Sequence, residues 1–269
     1  MWHLIRPRLA RFLYKYRALP QRDSEALNRL RDLLVESRLF LSSHESFNDP
    51  FDLGAQILFR GTAEQKRKRF KELLAERSGL PWKQRREQLA KFMARPEAEW
   101  GKALIEIFQK NARDIGIFSF AGNPRSILMW SHYSENHEGI CLQYDVAKDV
   151  RALSAALTVD YLDDYPLIDW VKEGLGTQLE KVMLRKYPGW SYEHEHRIVH
   201  VTGARTYYPV VPSALVGVIY GTRARKDVID TMQTLYAERL AIGLPPLTFY
   251  DAVKHPSKYK LVIRKRPGP

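Results

Sequence analysis

The stretch that decides the fold is residues 117–144, IFSFAGNPRSILMWSHYSENHEGICLQY. Its first four residues favour a β-strand, and residues 121–124 have the Gly, Asn and Pro composition of a turn. Pro124 is suited to the start of a helix, which we predict over residues 126–133. Alternating side chains then predict a half-buried strand over residues 140–144. The aromatic and histidine residues concentrated between the two strands are typical of a pocket wall.

Strands and single helices are mixed without a regular order along the rest of the chain. One helix follows Ser24, with Leu27, Leu30 and Leu34 as its buried stripe, and another is predicted over residues 168–186. Such a mixture favours an α+β fold over a regular βαβ winding. We therefore predict a single α+β domain over residues 1–269, with a mixed, mostly antiparallel sheet. The predicted strands cover residues 12–17, 39–41, 157–161, 190–199, 216–220, 248–250 and 259–263.

Residues 61–114 interrupt this pattern with three predicted helices. Thr62 and Gln65 have the spacing of a capping box at the start of the first helix. The second helix begins after Pro81, with Trp82 among the apolar residues that we expect to face inward. Because strands flank this helical region on both sides, we interpret it as a basic helical insertion within the domain.

The positive charge of the chain is concentrated in this region. The sequence has a formal net charge of +12, and residues 60–95 contain twelve Lys or Arg against four Glu. A concentrated basic surface favours binding to polyanions such as nucleic acid, although a solvated helical face is the simpler alternative. We predict nucleic acid or another polyanion as a partner. The candidate contact residues are Lys66, Arg67, Lys68, Arg69, Arg85 and Arg86.

Composition indicates a globular protein that acts in a reducing compartment. Hydrophobic residues make up 45% of the sequence and aromatic residues 12%, which is ample for a packed core. No apolar run approaches the length of a membrane span, and the first residues lack the apolar stretch of a signal peptide. Cys141 is the only cysteine, so an intrachain disulfide is excluded. We predict a cytoplasmic protein that has no membrane partner.

Two carboxylates near the C-terminal third of the chain are the first candidates for chemistry. If residues 190–199 form a strand, Glu193 and Glu195 project from the same face with Arg197, and His194 and His196 from the other. Two aligned carboxylates can stabilise a cationic sugar transition state. The alternative is an exposed strand in which Glu195 only pairs with Arg197.

A metal site is the weaker candidate. His132, His137 and Cys141 are separated by five and four positions, but the two histidines flank a helix end and no fourth ligand is nearby. The position of Cys141 between apolar neighbours is typical of a small buried hydrophobic residue. We therefore predict no metal.

Four segments of the chain resemble the bacterial family called domain of unknown function 2971. They are LYKYR at 13–17, FNDPFD at 47–52, LMWSHYSENHEGICLQY at 128–144 and WSYEHEHR at 190–197. The family is largely uncharacterised, so this resemblance implies a shared core and no particular activity.

A more distant likeness implies an activity. The order of three features along the chain is similar to the arginine–serine–glutamate pattern of ADP-ribosyltransferases. These features are a basic strand, then a serine flanked by aromatic residues, then Glu-x-Glu. The resemblance implies an ADP-ribosyltransferase-like core in which Arg17 binds NAD phosphates and Ser119 supports the nicotinamide ribose. Glu195 would be the catalytic glutamate and Glu193 would orient the acceptor. The other candidate NAD-binding residues are Tyr16, His132, Tyr133 as the stacking aromatic, and Trp130 as the next choice for that role.

Three hypotheses of function follow. The first is NAD-dependent ADP-ribosyl transfer or NAD cleavage, on or near nucleic acid, in bacterial defence. The second is a non-enzymatic module that binds nucleic acid or a nucleotide, in phage defence or a toxin–antitoxin system. The third is a hydrolase in which His132 works with Glu193 or Glu195. An enzyme of the first kind requires both glutamates to face a concave pocket shared with Arg17 and Ser119.

Overall fold

An eight-stranded sheet forms the centre of the fold. The computed structural model describes residues 10–19, 24–76, 81–96, 99–100, 102, 104–106 and 112–268. The strands are β1 (Phe12–Arg17), β2 (Arg38–Leu41), β3 (Gln56–Leu58), β4 (Gly116–Ala121), β5 (Ile140–Asp145), β6 (Leu157–Thr158), β7 (Asp160–Tyr161), β8 (Leu167–Asp169), β9 (Arg185–Lys186), β10 (Glu195–His200), β11 (Thr206–Pro209), β12 (Leu215–Tyr220), β13 (Thr248–Lys254) and β14 (Leu261–Lys265). The α-helices are α1 (Ser24–Leu34), α2 (Ala63–Glu76), α3 (Trp82–Ala94), α4 (Ile127–Tyr133), α5 (Val150–Leu153), α6 (Leu175–Met183) and α7 (Lys226–Ala241), and 3₁₀ turns cover His44–Ser46, Val146–Lys148, Pro188–Glu193 and Pro212–Ala214.

The central sheet is mixed and mostly antiparallel. Its strand order is β14-β13-β12-β5-β1-β4-β10-β6, and β12 and β13 are its parallel pair. β1 lies between β5 and β4, and β4 lies between β1 and β10. Tyr14 is opposite Ala121, and Arg197 is opposite Ser119. The predicted α+β class with a mostly antiparallel sheet is confirmed.

Two helices cover one face of this sheet. Leu30, Leu33 and Leu34 of α1 are buried in the same hydrophobic cluster as the apolar side chains of α7 and of the central strands. Burying these leucines stabilises α1 against the sheet by roughly 1.5–3 kcal/mol per side chain. The prediction that Leu27 belongs to this stripe is wrong, because Leu27 is 42% exposed and burial begins one turn later.

The helix predicted over residues 168–186 is much shorter in the structure. Ile168 lies in β8, which pairs in parallel with β3, and the helix α6 begins only at Leu175. The Asp169 carboxylate accepts hydrogen bonds from the backbone N–H groups of Val171 and Lys172, at 3.2 Å each. This local turn competes with a helix for the same backbone groups and ends the strand instead.

The helices α2 and α3 pack around a cluster of aromatic side chains. Phe70 of α2 stacks on Phe92 of α3 with ring centroids 3.7 Å apart, and Phe92 also contacts Trp170. The prediction that Trp82 faces inward is wrong, since its side chain is 72% exposed. Pro81 precedes it, so Trp82 stands at the first position of the helix, outside the aromatic cluster. The interpretation of residues 61–114 as an insertion stays a prediction.

The capping box at the start of α2 is confirmed and gives a stability prediction. The Thr62 hydroxyl accepts a hydrogen bond from the Gln65 N–H (3.2 Å), and the Gln65 side chain accepts one from the Thr62 N–H (2.9 Å). Thr62→Ala is therefore expected to lower the free energy of unfolding by about 1 kcal/mol in urea denaturation. Thr62→Ser keeps the hydroxyl and serves as the control. Equal stability of the alanine and serine variants would contradict the proposed role of the cap.

Two kinds of feature are absent from the described part of the structure. Within the residues that the structure describes, no helix is both long and apolar enough to span a bilayer. In the same part of the chain, no cluster of three or more His, Cys, Asp or Glu side chains is arranged to hold a metal ion.

Cys141 is fully buried among apolar side chains, as its neighbours in the sequence predicted. This burial raises the pKa of its thiol.

Candidate functional site

A cavity of about 770 Å³ opens where β1, β4 and β10 run side by side. Arg17 of β1, Ser119 of β4 and Glu195 of β10 all line it. Glu193 lines the same cavity, so the convergence required by the first hypothesis is present. The volume is within the range of small-molecule sites.

Both glutamates line the cavity, but the backbone that positions them differs from the predicted strand. Glu193 ends the 3₁₀ turn Pro188–Glu193, and Glu195 begins β10. His194 between them has a left-handed backbone (φ 44°), which is strained for a residue that is not glycine. The prediction of a continuous strand through residue 193 is therefore wrong. A turn, and not strand alternation, directs the Glu193 side chain into the cavity.

Arg197 is the centre of a buried network of charged side chains. Its guanidinium is 0% exposed and donates to both oxygens of Asp52, at 3.0 and 2.6 Å. It also donates to both oxygens of Glu195, at 2.8 and 3.0 Å, and to the Met183 carbonyl at 2.8 Å. Burial lowers the pKa of Arg197, but the two carboxylates outweigh burial and raise it. Arg197 stays charged and fixes both carboxylates in place.

Lys186 joins the second glutamate to this network. Its ammonium donates to Glu193 Oε2 at 2.7 Å and to Glu195 Oε2 at 3.3 Å, and lies 3.9 Å from Asp52 Oδ2. Three carboxylates thus share the two cations Lys186 and Arg197, which leaves one formal negative charge beside the cavity. A single negative charge in a poorly solvated site can stabilise a developing cation.

The two glutamates differ in how much of their hydrogen-bonding capacity is used. Glu195 accepts hydrogen bonds from Arg197 on both oxygens and from Lys186 on one. Burial raises the pKa of Glu195, but the two cations prevail and lower it to about 2. Glu193 receives one donor on each oxygen, the Tyr133 hydroxyl at 2.6 Å and Lys186. Burial raises the pKa of Glu193. Each oxygen of Glu193 therefore retains an acceptor position for a ligand.

Lys15 contributes a second cation to the cavity wall. Its ammonium donates to the Ser119 carbonyl at 2.7 Å and lies 4.5 Å from the centre of the Phe118 ring. Burial, followed by repulsion from Arg17, lowers the pKa of Lys15 to about 7. Because it is poised to lose its proton near neutral pH, Lys15 makes the charge of the cavity depend on pH.

Arg17, like Lys15, lines the cavity without forming an ion pair with a described residue. Its Nε atom is buried without a hydrogen-bond partner, and its side chain makes no ion pair with any residue that the structure describes. Burial lowers the pKa of Arg17 to about 10, so the guanidinium remains charged at neutral pH. An unpaired guanidinium that lines a cavity favours an anionic ligand such as a phosphate.

The structure separates the predicted aromatic and histidine residues into two groups. Tyr16 and Tyr133 line the cavity. The prediction for Trp130 is wrong, because it is fully buried: its ring packs edge-on against Tyr16 and its Nε1 donates to the Pro124 carbonyl. His132 is exposed, lies outside the cavity lining and contacts the Tyr192 ring. No hydrogen bond joins His132 to either glutamate within the described residues, which removes the support for the third hypothesis.

The residues predicted to contact nucleic acid differ in their exposure to solvent. Arg67, Lys68 and Arg86 are exposed, and Lys66 and Arg85 are half-buried. The prediction for Arg69 is wrong, because its side chain is buried and donates to the Trp170 carbonyl at 3.3 Å.

Several residues of the cavity escaped the sequence analysis. Asp52 was not predicted as a site residue, although it ends FNDPFD, one of the segments of the family resemblance. Lys186 was assigned to a helix that ends at Met183, and Trp190 was quoted only as part of the segment WSYEHEHR, without a role in the site. The contact of Asp52 with Arg197 spans 145 positions, and no local pattern encodes it.

Fold and cavity together define an α+β protein with a cavity lined by charged side chains on the face of a mostly antiparallel sheet. A family model described as "Protein of unknown function (DUF2971)" matches residues 129–198. The matched segment contains Tyr133, Lys186, Glu193, Glu195 and Arg197, so the similarity to that family includes these residues of the cavity wall. No curated protein and no solved structure matches the chain.

Proposed function

We propose that the cavity binds NAD and that the protein breaks the bond between the ribose C1′ and the nicotinamide nitrogen. Nicotinamide leaves with the bonding electrons, and water or an acceptor group on another molecule bonds to C1′. The observation that carries this proposal is the convergence of Arg17, Ser119, Glu193 and Glu195 on one cavity. The likeness of the sequence to ADP-ribosyltransferases predicted that convergence.

The cationic part of the cavity would hold the pyrophosphate. Arg17 lacks a counter-ion among the described residues, and Lys15 lies two positions before it on β1. A pyrophosphate would supply the acceptor that Arg17 Nε lacks. Such a charge-assisted contact is stronger than a neutral hydrogen bond and fixes the orientation of the ligand.

The carboxylates would act on the ribose. Breaking the glycosidic bond builds positive charge on the sugar, and a fixed carboxylate lowers that barrier. The resemblance assigns this role to Glu195, but Glu195 already accepts hydrogen bonds from Arg197 on both oxygens and from Lys186 and the Ser119 side chain as well. Glu193 retains free acceptor positions, so we assign the contact with the ribose to Glu193 and the positioning of the network to Glu195.

The aromatic wall would hold the nicotinamide. Tyr133 lines the cavity, and its hydroxyl donates to Glu193, which places the ring beside the carboxylate assigned to the ribose. Trp190 also lines the cavity, and its ring lies 5.0 Å from the Lys186 ammonium. Trp190 therefore replaces the buried Trp130 as the second candidate for stacking.

The test is release of nicotinamide from NAD by the purified protein, with and without RNA or DNA, together with NAD binding by calorimetry. Glu193→Gln is expected to keep NAD binding and to lower release at least about 100-fold. Arg17→Met is expected to lose NAD binding. Glu36→Gln, which removes a surface carboxylate paired with Arg31, is the matched control and is expected to leave both unchanged.

Three outcomes decide the proposal. Release by the wild type that Glu193→Gln abolishes supports the assigned chemistry. NAD binding without release under any condition would overturn cleavage and leave a nucleotide-binding module. Absence of both binding and release, with the protein folded, would overturn the proposal entirely.

A further inference from the structure

The helices α2 and α3 present basic side chains that the fold does not use. Arg67, Lys68 and Lys71 of α2 are exposed, and their side chains form no ion pair with any described residue. They occupy neighbouring positions on the helix surface because they are separated by one, three and four residues. Lys83 and Arg86 repeat this arrangement on α3, one and four residues after its first residue.

An exposed tryptophan lies among these cations. Trp82 is the first residue of α3, and the Arg86 guanidinium lies 5.6 Å from the centre of its ring. A basic face that serves only for solubility has no need of a large aromatic side chain in water, since that exposure is unfavourable. Aromatic rings beside lysine and arginine are the usual means of binding single-stranded nucleic acid, in which bases stack and phosphates pair with cations.

We propose that the exposed sides of α2 and α3 bind single-stranded nucleic acid, with Trp82 stacking on a base and Arg67, Lys68, Lys71 and Arg86 contacting phosphates. This surface is separate from the cavity, because none of these five residues lines it. The proposal is therefore independent of whether the protein cleaves NAD. Duplexes hide their base faces, so a surface that relies on stacking selects single strands over double strands.

The chain offers a matched control. Tyr259, in the hairpin between β13 and β14, is also fully exposed and is flanked by the exposed Lys258 and Lys260. Trp82→Ala and Tyr259→Ala each remove one exposed aromatic ring beside basic side chains. Only the first is expected to weaken binding if α2 and α3 form the specific surface.

The experiment is fluorescence anisotropy with a labelled oligo(dT) and oligo(U) of about twelve nucleotides, within the range of known single-strand sites. Trp82→Ala is expected to raise Kd about tenfold, and Tyr259→Ala to leave it unchanged. Arg67→Gln, Lys68→Gln and Lys71→Gln together are expected to lower the slope of log K against log salt by about 2. Unchanged circular dichroism shows that each variant is folded.

Other outcomes would overturn the proposal. Equal losses from Trp82→Ala and Tyr259→Ala would indicate unspecific attraction by net charge. Tighter binding to the matching duplex than to the single strand would contradict stacking. Binding to vesicles of phosphatidylcholine and phosphatidylserine without binding to either oligonucleotide would identify a membrane surface instead.

Discussion

Arg197→Met is expected to lower the free energy of unfolding by about 3–5 kcal/mol. The guanidinium is fully buried and donates four hydrogen bonds to Asp52 and Glu195. Removing it leaves two buried carboxylates with only Lys186 to compensate them. A buried charge without a partner costs several kcal/mol, whereas the intact pair contributes little net stability.

Urea denaturation of matched variants measures this effect. Arg205→Met removes an arginine whose side chain is 61% exposed and whose partner is Glu45 at 2.8 Å, and is expected to cost at most about 1 kcal/mol. Adding Asp52→Asn and Glu195→Gln to Arg197→Met removes the orphaned charges and is expected to recover part of the loss. Equal losses from the two arginine variants would contradict the description of Arg197 as the centre of the network.

Affinity for an anionic ligand is expected to fall as the pH rises through about 7. Lys15 has its pKa lowered from 10.5 to about 7, so the cavity loses one positive charge in this range. A bound phosphate favours the protonated amine, and release of that proton opposes binding above pH 7. The expected loss is about tenfold between pH 6 and pH 8, measured as the Kd for NAD or pyrophosphate by calorimetry.

Lys15→Met provides the control for this pH dependence. The variant is expected to bind more weakly at pH 6 and to show a flatter pH profile. An unchanged profile would contradict the assignment to Lys15.

The lowered pKa of Lys15 also affects folding stability. From pH 7 to about 10.5 the unfolded chain holds a proton that the folded chain has lost. The contribution of Lys15 to stability therefore rises with pH over this window.

Local patterns predicted most elements of the fold and failed where distant contacts decide. The strand β1, the helix α4 and the capping box of α2 follow from turn residues and periodicity close in sequence, and all three are confirmed. The helix predicted over residues 168–186 is shorter because its first residues pair with the distant strand β3 and its last residues pair with β7. The predicted burial of Leu27 and Trp82 was wrong because apolar periodicity shows a preference for burial without showing where the covering surface ends.

The candidate site shows the same division. Arg17, Ser119, Glu193 and Glu195 were identified from sequence and share one cavity. Asp52 was missed because its partner Arg197 is 145 positions away, and Lys186 because it was assigned to a helix that ends at Met183. Trp130 was chosen as an aromatic residue in a segment typical of a pocket, but its place on α4 turns it into the core. The sequence identified the types of side chain in the candidate site, and packing decided which of them reach the cavity.

The position of β1 in the middle of the sheet has a consequence for how the protein is made. β1 is synthesised before both of its neighbours, and β4 follows about a hundred residues later, as the separation of 104 positions between Lys15 and Ser119 illustrates. β10, which completes the cavity, comes later still. A nascent chain therefore carries β1 with both edges open until β4 and β5 have been synthesised. Pairing over such distances is slow, so we expect the newly made chain to be prone to aggregation until β4 and β5 pair with β1.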